Sequence, residues 1–442
     1  MKLLLAAFTA ALTISLPVQA AKEVFAHVIV GNTPDFDHSD WDNDIRLAQE
    51  SKIDGFVLNI AAQDPDTNAR ALNFAFQVAN NRGFKLFFSF DYAAQGPWPQ
   101  DQVRDLITTF AVEPSYFKPD GTRPLVSTFE GPANANDWPA IKQNTSAFFI
   151  PDWSSHAPQD AASLAGGVVD GLFSFSAWPN GDTNITTDAD REFQRVLQPQ
   201  GKAYMMPVSP WFFTNLPGYN KNWLWRGDGL WDLRWSQVMQ VQPDYVEILT
   251  WNDIGESHNI RTAKEKEMGL FTSANAPINY ARGMSHDGWR KFLPFYIDMY
   301  KTGQVPADFA EGVVATYRTA PALACPSGGT SGNDAGHGQT EVPPETLVED
   351  AVFYSVLLKT DQDVTVTVSI GGKEQTGVLS GAPPAGAGTP GVYTGSVPFG
   401  GNTGDVVVKV VRGGQEVATA KGGKPISTQC ENNVQNWNAV SV

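Results

Sequence analysis

The sequence has little cysteine, little positive charge and few long apolar stretches. Two cysteines occur among its 442 residues, and neither has a nearby histidine that would indicate a catalytic thiol. Lysine and arginine number 31 against 47 aspartate and glutamate residues, which gives a formal charge of −16. Because such a surplus of negative charge repels phosphate backbones and anionic lipid, we expect neither nucleic acid nor a membrane as a partner. A neutral substrate is compatible with this charge.

Residues 1–20 have the pattern of a secretory signal peptide. Lys2 precedes an apolar run over residues 3–16, and Val18-Gln19-Ala20 offers a small-residue cleavage site. The run is too short to span a membrane, and a buried N-terminal helix is the alternative. No later stretch is long and apolar enough to cross a bilayer. We therefore expect a secreted, soluble chain.

Secretion bears on the cysteines and on two short motifs. In an oxidising compartment we expect one disulfide between Cys325 and Cys430, with two buried free thiols as the alternative. Asn144 and Asn184 each begin an Asn-x-Ser/Thr tripeptide and would accept N-glycans in a eukaryotic source.

Several signature motifs are missing from the sequence. No Gly-x-Gly-x-x-Gly follows the first predicted strand, no Gly-x-Ser-x-Gly is present, and no two histidines have His-Glu-x-x-His spacing. Dinucleotide binding, an α/β-hydrolase site and a zinc-hydrolase site therefore have no support. We expect no cofactor and no metal, and we expect His27 to make a hydrogen bond in the barrel mouth.

Short apolar runs alternate with helical patterns from residue 21 to residue 305. Each run is rich in Phe, Val, Ile or Leu, as strands buried on both faces are. The runs cover residues 24–30, 55–60, 85–90, 125–129, 147–150, 171–177, 203–208 and 245–250, and helical spacing is found over residues 42–52, 68–81, 100–110 and 285–300. Eight such units predict an α/β fold, a (β/α)8 barrel. An open doubly wound sheet is the alternative.

Residues 306–442 have a different pattern. Alternating Val- and Thr-rich runs over residues 352–358, 364–370, 406–411 and 416–420 are separated by Gly-rich turns. This pattern predicts an antiparallel β-sandwich, an accessory domain after the barrel. The Gly-rich stretch over residues 328–338 is predicted to be a flexible loop.

Acidic, amide and tryptophan side chains follow the predicted barrel strands. They are Asn59, Asp91, Glu130, Asp152, Trp178, Trp211, Trp251 and Asn252, and four further tryptophans, at 223, 225, 231 and 235, are predicted to line a groove. The carboxyl ends of barrel strands meet at one rim. Hydrolysis of a glycosidic bond needs a protonated acid and a carboxylate, and aromatic faces stack on sugar rings. The rim thus fits a sugar-cleaving site, although each acid alone could equally be solvated or cap a helix.

Asp253 and Glu256 are the leading pair at this rim. They are separated by a turn that contains Gly255, and close carboxyls push one pKa upward so that one group stays protonated. Asp-x-x-Glu also occurs as a box at a helix N-terminus, which is the alternative interpretation.

Several segments in order resemble the fungal α-1,3-glucanases, or mutanases, of glycoside hydrolase family 71. They are the runs over residues 25–33 and 54–60, Phe88-Ser89-Phe90-Asp91, residues 127–131, residues 207–212, Thr250-Trp251-Asn252-Asp253-Ile254-Gly255-Glu256-Ser257 and His286-Asp287-x-Trp289. The resemblance covers residues 22–305 well and the β-rich tail loosely.

The resemblance implies an inverting, endo-acting α-1,3-glucanase that acts on α-1,3-glucan. We also expect a monomer that works outside the cell or in the cell wall. The resemblance implies that Asp253 and Glu256 form the catalytic pair, with Glu256 as general acid and Asp253 as general base. Asp91 would support the cleavage subsite, and Asn59, Glu130, Asp152, Trp178, Trp211, Trp251 and Asn252 would shape the sugar subsites. A non-catalytic glucan-binding wall protein on the same scaffold is the alternative.

Overall fold

The computed structural model describes residues 22–380 and 388–442. The predicted signal peptide, residues 1–20, lies outside the described residues. The central sheet contains eight strands: β1 Glu23–Ile29, β2 Gly55–Ala61, β3 Lys85–Asp91, β4 Leu125–Phe129, β5 Phe148–Phe149, β6 Gly171–Phe173, β7 Ala203–Val208 and β10 Tyr245–Ile248. Between β7 and β10 the chain forms a hairpin outside this sheet, from β8 Phe213–Leu216 and β9 Lys221–Leu224. Every predicted apolar run of the first 305 residues therefore contributes a strand.

The central sheet is parallel and closed. Its strand order is β5-β4-β3-β2-β1-β10-β7-β6. Asp152, which follows β5, closes the ring because its backbone bridges Phe129 of β4 on one side and Phe173 on the other. The predicted (β/α)8 barrel is confirmed, and the open sheet is excluded.

Helices lie between the barrel strands. They are α1 His38–Glu50, α2 Pro65–Arg82, α3 Gln100–Phe110, α4 Trp138–Thr145, α5 Pro158–Gly167, α6 Asp188–Leu197, α7 Leu230–Val241, α8 Gly269–Ser273, α9 Gly288–Lys291 and α10 Leu293–Thr302. Short 3-10 turns cover Val30–Asn32, Pro132–Asp137, Gln198–Gln200, Pro217–Tyr219, Glu265–Glu267, Ala335–His337, Pro344–Thr346 and Glu431–Asn433.

Local sequence fixes the ends of these helices. The carboxylate of Asp37 accepts hydrogen bonds from the backbone N–H groups of Ser39 and Asp40, and Asp40 accepts one in return, so a capping box starts α1. The helix predicted over residues 285–300 is instead two helices, because the chain leaves helical geometry at Phe292. The first of these helices, α9, begins at Gly288, three residues after the predicted start.

The C-terminal part is built from antiparallel sheets. Its strands are β11 Gly312–Arg318, β12 Ser331–Gly332, β13 Ala351–Leu358, β14 Val364–Ile370, β15 Lys373–Gly377, β16 Gly391–Pro398, β17 Val406–Arg412, β18 Gln415–Lys421 and β19 Ala439–Ser441. One sheet has the order β16-β13-β11-β19 and another the order β15-β14-β17-β18. Their facing sides bury Val and Tyr side chains in a core of their own, which confirms the predicted sandwich.

A third small sheet joins the hairpin of the barrel to the later chain. In it β12 pairs with β9, which pairs with β8. Thr330 and Asn333 are 4% and 2% exposed, so the stretch predicted to be a flexible loop is packed against the hairpin. Glycines there permit close approach: a Cβ at Gly332 would lie 2.8 Å from the side chains of Leu347 and Val342.

Further expectations concern the disulfide, the glycosylation sites, the domain boundary and membrane-spanning helices. Cys325 and Cys430 form the predicted disulfide. Asn144 and Asn184 are both exposed, and their glycosylation stays a prediction. Between α10 and β11 the chain leaves the barrel, and a domain boundary at residues 305 and 306 also stays a prediction. Across residues 22–380 and 388–442, no helix has both the length and the apolar composition needed to cross a membrane.

Candidate active site

The loop that follows β10 brings the predicted acidic pair to the rim of the barrel. Asn252 anchors this loop to β1: its Oδ1 accepts a hydrogen bond from the Ile29 N–H at 2.8 Å, and its Nδ2 donates to the Ile29 carbonyl at 3.0 Å. Residues 253–257 form a turn and no helix begins there, so the alternative interpretation as a helix N-terminus is wrong. The peptide between Leu249 and Thr250 is cis.

Asp253 and Glu256 lie side by side in this turn. Asp253 Oδ1 accepts hydrogen bonds from the backbone N–H groups of Gly255 and Glu256, each at 3.1 Å. One oxygen from each carboxyl and one ring nitrogen of His258 all lie within 4.8 Å of one another. The side chains of Asp253 and Glu256 are 18% and 15% exposed, so solvent or a ligand can reach both carboxyls.

Two cationic or hydrogen-bonding side chains contact Glu256. Lys221 Nζ donates to Oε1 at 2.6 Å, and His258 Nε2 lies 2.9 Å from Oε2. Asp253 is farther from the imidazole, since its Oδ2 lies 3.8 Å from His258 Nε2. The two carboxyls therefore have different electrostatic surroundings.

These surroundings move the two pKa values in opposite directions. Burial and then the neighbouring charge of Glu256 raise the pKa of Asp253. Burial alone would raise the pKa of Glu256 too, but the Lys221 charge and the His258 hydrogen bond hold that pKa well below its usual value. Asp253 is thus the group that tends to hold a proton, and Glu256 is the ionised one.

Asp91 lies at the end of β3. The charge of Glu256, and to a smaller degree those of Asp253 and Asp91, raises the pKa of Lys221, so all three carboxyls act on one ammonium group. Burial raises the pKa of Asp91 itself, and its Oδ1 accepts hydrogen bonds from the backbone N–H groups of Ala93 and Ala94 at 2.9 and 2.8 Å.

A buried polar pair lies deeper in the barrel. His27 Nδ1 is 2.6 Å from Glu247 Oε1, and both side chains are fully buried. Burial raises the pKa of Glu247. The predicted hydrogen bond of His27 in the barrel is confirmed.

Aromatic side chains form a wall beside the carboxyl pair. Trp178 is half-buried, stacks on Trp225 with centroids 5.2 Å apart, and meets the His258 ring edge-on at 5.2 Å. Phe212 stacks on His258 and on Trp223, at 5.6 Å in each case. This wall includes two of the four clustered tryptophans, at 223 and 225, and Trp225 is 8% exposed. Trp231 and Trp235 lie on α7 and pack against each other, with ring centroids 5.9 Å apart.

Three of the predicted subsite residues face the interior. Trp251 is 0% exposed and its Nε1 donates to Asp44, and Trp211 is 2% exposed and its Nε1 donates to the Trp437 carbonyl. Both amide atoms of Asn252 bond to β1 and the residue is 1% exposed. A ring or amide enclosed in this way has no face for a sugar, so these residues support the site from behind in this structure.

The remaining predicted residues lie elsewhere along the rim. Asp152 is fully buried, and burial raises its pKa to about 8. Glu130 accepts hydrogen bonds from the backbone and hydroxyl of Ser155, at 2.9 and 2.5 Å. Asn59, at the end of β2, is 4% exposed.

The turn also has the composition of a cation site. Asp253, Glu256 and His258 each offer a ligand atom, and these atoms lie within 4.8 Å of one another. However, one Glu256 oxygen is already bonded to the ammonium of Lys221, so a side chain supplies the positive charge that a metal would bring. A divalent ion would have to displace this bond.

Lys221 and His258 were not among the residues predicted from the sequence. Lys221 begins β9 in the hairpin outside the barrel, and no strand-end rule reaches it. His258 comes two residues after Glu256, but Ser257 between them has a φ of 60°, so the contact depends on a turn that no regular sequence pattern indicates.

Comparison with known proteins gives a family. Residues 20–442 match the sequence model of Glycosyl hydrolase family 71. A mutanase of Penicillium rubens is 33% identical over 418 residues, covering 92% of this chain and 86% of that protein. A glucan endo-1,3-alpha-glucosidase of Schizosaccharomyces pombe is 34% identical over 388 residues, covering 82% and 83%. The ascus wall endo-1,3-alpha-glucanase of the same yeast is 28% identical over 383 residues, covering 82% and 84%.

Proposed function

The chain belongs to glycosyl hydrolase family 71, and from this we propose that it is a secreted, monomeric endo-acting enzyme that cleaves the α-1,3-glucosidic bonds of α-1,3-glucan. One observation carries the proposal. Two solvent-accessible carboxyls, Asp253 and Glu256, lie in one turn at the barrel rim with pKa values shifted in opposite directions. Glycosidic hydrolysis needs this combination of a protonated and an ionised carboxyl.

We assign Asp253 as the general acid and Glu256 as the ionised partner that activates water. The expectation from the resemblance had these two roles reversed. The electrostatics support the new assignment, because Lys221 and His258 contact Glu256 and keep it charged, whereas that charge and burial favour a proton on Asp253. Protonated Asp253 would donate to the glycosidic oxygen as the bond breaks.

Asp91 and the aromatic wall would hold the sugars at this point. The charge of Asp91 acts on the same ammonium as the charges of the catalytic pair, and Asp91 is proposed to bind hydroxyls at the cleavage subsite. Trp178 keeps part of its surface exposed beside His258, and its apolar ring face can stack on a glucose ring. Glu130 and Asp152 are proposed to support neighbouring subsites.

The first experiment removes each carboxyl in turn. Purified Asp253→Asn and Glu256→Gln should each release reducing ends from α-1,3-glucan about 10²–10⁴-fold more slowly than the parent, the usual contribution of an acid or base. Glu265→Gln, at an exposed acid in the same region, serves as the matched control and should keep full activity. Normal rates in both active-site variants, with unchanged thermal unfolding, would remove the pair from the mechanism.

The second experiment separates the two roles. A glycosyl fluoride leaves without needing a proton, so an α-1,3-linked oligosaccharyl fluoride should be hydrolysed by Asp253→Asn far better than by Glu256→Gln. The opposite ranking would make Glu256 the acid.

The stereochemistry needs its own measurement. The resemblance implies inversion, which usually requires the carboxyl groups to be about 6.5–9.5 Å apart, whereas about 5–5.5 Å is typical of retention. Here the nearest carboxyl oxygens lie within 4.8 Å, and binding would have to admit a water between Glu256 and the sugar. We keep inversion as the proposal, and the first product seen by proton NMR should be the β-anomer. An initial α-anomer would make Glu256 a nucleophile.

A further inference from the structure

A cleft of about 750 Å³ lies between α7 and the outer face of one sandwich sheet. We call it the helix–sheet cleft. One side is formed by α7 and the residues before it, and the other by alternate residues of β11, β13 and β16: Val314, Thr316, Phe353, Ser355, Val392, Thr394 and Ser396. Residues between these in sequence point to the opposite face and fill the core of the sandwich. The volume is within the range of about 300–1,000 Å³ typical of ligand sites.

The chemistry of the lining limits what could bind there. Thr316, Ser355, Thr394 and Ser396 line the cleft, and Asp232 stands opposite on α7. The hydroxyls of Thr316, Ser355 and Thr394 donate to Ser441, Asp232 and the Ser380 carbonyl, so towards a ligand these three oxygens act as acceptors. Among the described residues that line it there are carboxyls but no lysine or arginine. Without a cation the cleft cannot compensate a phosphate or carboxylate ligand, whereas several oxygens that can accept hydrogen bonds suit a neutral, hydroxyl-rich ligand.

The walls of the cleft are fixed in position. Asp232 accepts hydrogen bonds from the hydroxyls of Tyr296 on α10 and Ser355 on β13, so helix and sheet are joined across its floor. Asn184, Gln240, Ser380 and Ser396 are exposed at its edges, which leaves the cleft open to solvent. A preformed site of this kind loses little entropy when a ligand binds.

The cleft is separate from the carboxyl pair but borders the same wall. It shares no residue with the turn over residues 253–258. Pro210 and Gly227 line one end, and Gly227 packs so closely on Trp211 that a Cβ there would lie 2.4 Å from the ring. Trp211 in turn accepts the hydrogen bond of Trp178 through its carbonyl. Direct contacts from Gly227 through Trp211 to Trp178 therefore connect the cleft to the aromatic wall.

We propose that the helix–sheet cleft is a second, non-catalytic site for a segment of neutral glucan, specifically α-1,3-glucan. The choice of glucan rests on the proposed function. Occupying two sites on one polymer raises the effective concentration of the chain at the carboxyl pair, which matters most for an insoluble substrate. A short soluble oligosaccharide gains nothing from the second site.

Ser396→Trp tests the proposal by placing an indole in the cleft from an exposed position. We expect the variant to need about tenfold more insoluble α-1,3-glucan than the parent for half of the protein to be bound. We also expect its rate of hydrolysis of that polymer to fall. The rate on a soluble α-1,3-linked glucose pentamer should stay within about twofold of the parent. Ser369→Trp, the same change on β14 of the other sheet, is the matched control and should leave all three quantities unchanged.

A second variant approaches from the opposite wall. Gln240→Trp, on the exposed end of α7, should reproduce the effect, and thermal unfolding of each variant shows whether it is folded. Unchanged binding in both folded cleft variants would overturn the proposal, as would an equal loss of rate on the polymer and on the pentamer. Failure of the proposed function is distinguishable, because the parent itself would then release no sugar from either substrate.

Discussion

At the residue scale, Lys221 is the neighbouring group that lowers the pKa of Glu256 most. It contacts Glu256 at 2.6 Å and reaches the rim from a hairpin rather than from a barrel strand. An opposite charge at this range lowers a carboxyl pKa by about 1–3 units. Loss of that charge should therefore let Glu256 take up a proton at higher pH.

The variant Lys221→Met tests whether the Lys221 charge keeps Glu256 ionised. Because activity requires ionised Glu256, the acidic limb of the pH profile of kcat/KM should move upward by about 1–3 pH units. Lys221→Arg keeps a cation and should move it much less. Lys373→Met, on exposed β15, removes the same charge far from the rim and should not move the limb. If Lys221→Met behaves like Lys373→Met, Lys221 does not keep Glu256 ionised.

Among the residues that follow the barrel strands, the sequence predicts the position of the acids better than the direction of the tryptophans. The rule that strand ends meet at a rim selected Asp91, Asp253 and Glu256, whose charges all act on the Lys221 ammonium, and the roles of these residues stay a prediction. It could not tell which way Trp211 and Trp251 point, because a tryptophan suits both a sugar platform and a buried core. Direction depends on neighbours distant in sequence, such as Asp44 for Trp251.

At the element scale, the catalytic turn is held by a buried charge network. Arg261 is 2% exposed, and its guanidinium donates to both Glu267 oxygens at 2.8 and 2.5 Å. The guanidinium also lies 3.3 Å from Asp44, and the backbone around it bonds to that of Trp251. The chain on both sides of the catalytic pair is thus fixed to α1 and to the turn at Glu265–Glu267.

Arg261→Met should cost about 3–5 kcal/mol of unfolding free energy, because it leaves buried Glu267 without its partner. Denaturant titration measures this loss. Arg261→Lys keeps the charge but not the bidentate contact with Glu267, so it should retain only part of the stability that Arg261→Met loses. A loss below about 1 kcal/mol for Arg261→Met would show that the network contributes little.

Elements were predictable where their pattern was long and regular. The barrel strands are continuous apolar runs, and their order follows from repeated right-handed crossovers. The hairpin of β8 and β9 escaped prediction because each strand has four residues and pairs outside both main sheets. β11, β16 and β19 were also missed, since their partners are distant in sequence and glycines interrupt the alternation in β16.

At the scale of the whole molecule, the barrel and the sandwich are joined by polar contacts that no sequence pattern indicates. Trp211 of the barrel donates to the Trp437 carbonyl, and the buried His286 ring lies 3.1 Å from the Ala439 carbonyl. The disulfide spans 105 residues within the C-terminal part, and the chain-entropy model gives such a link about 4–5 kcal/mol of stability. Composition and alternation predicted both parts, but their contact surface depends on side chains more than 100 residues apart.

The closure of the barrel contains a carboxyl that makes the stability of the molecule depend on pH. Asp152 bridges β4 and β6 through its backbone, is fully buried, and has its pKa raised by burial to about 8. The folded chain therefore keeps a proton on Asp152 that the unfolded chain has already lost above about pH 4. This stabilisation is complete below about pH 4 and is lost as the pH rises to about 8.

Asp152→Asn replaces the protonated acid with a neutral group of the same shape. The unfolding free energy of the parent should fall relative to that of the variant by up to about 1.4 kcal/mol per pH unit between pH 5 and pH 8, the slope for one proton. Denaturant titrations of both proteins at each pH measure the difference. Asp54 and Asp228, whose pKa values are raised to about 7 and about 6, contribute slopes of the same sign, but these are common to both proteins and cancel.

Asp160→Asn, at an exposed position on α5, is the control and should give a curve of unfolding free energy against pH parallel to that of the parent. If the Asp152→Asn curve is parallel as well, the buried carboxyl at the barrel closure is ionised in the folded protein, and the hydrogen bonds that it accepts from the backbone N–H and hydroxyl of Ser154 then stabilise its charge.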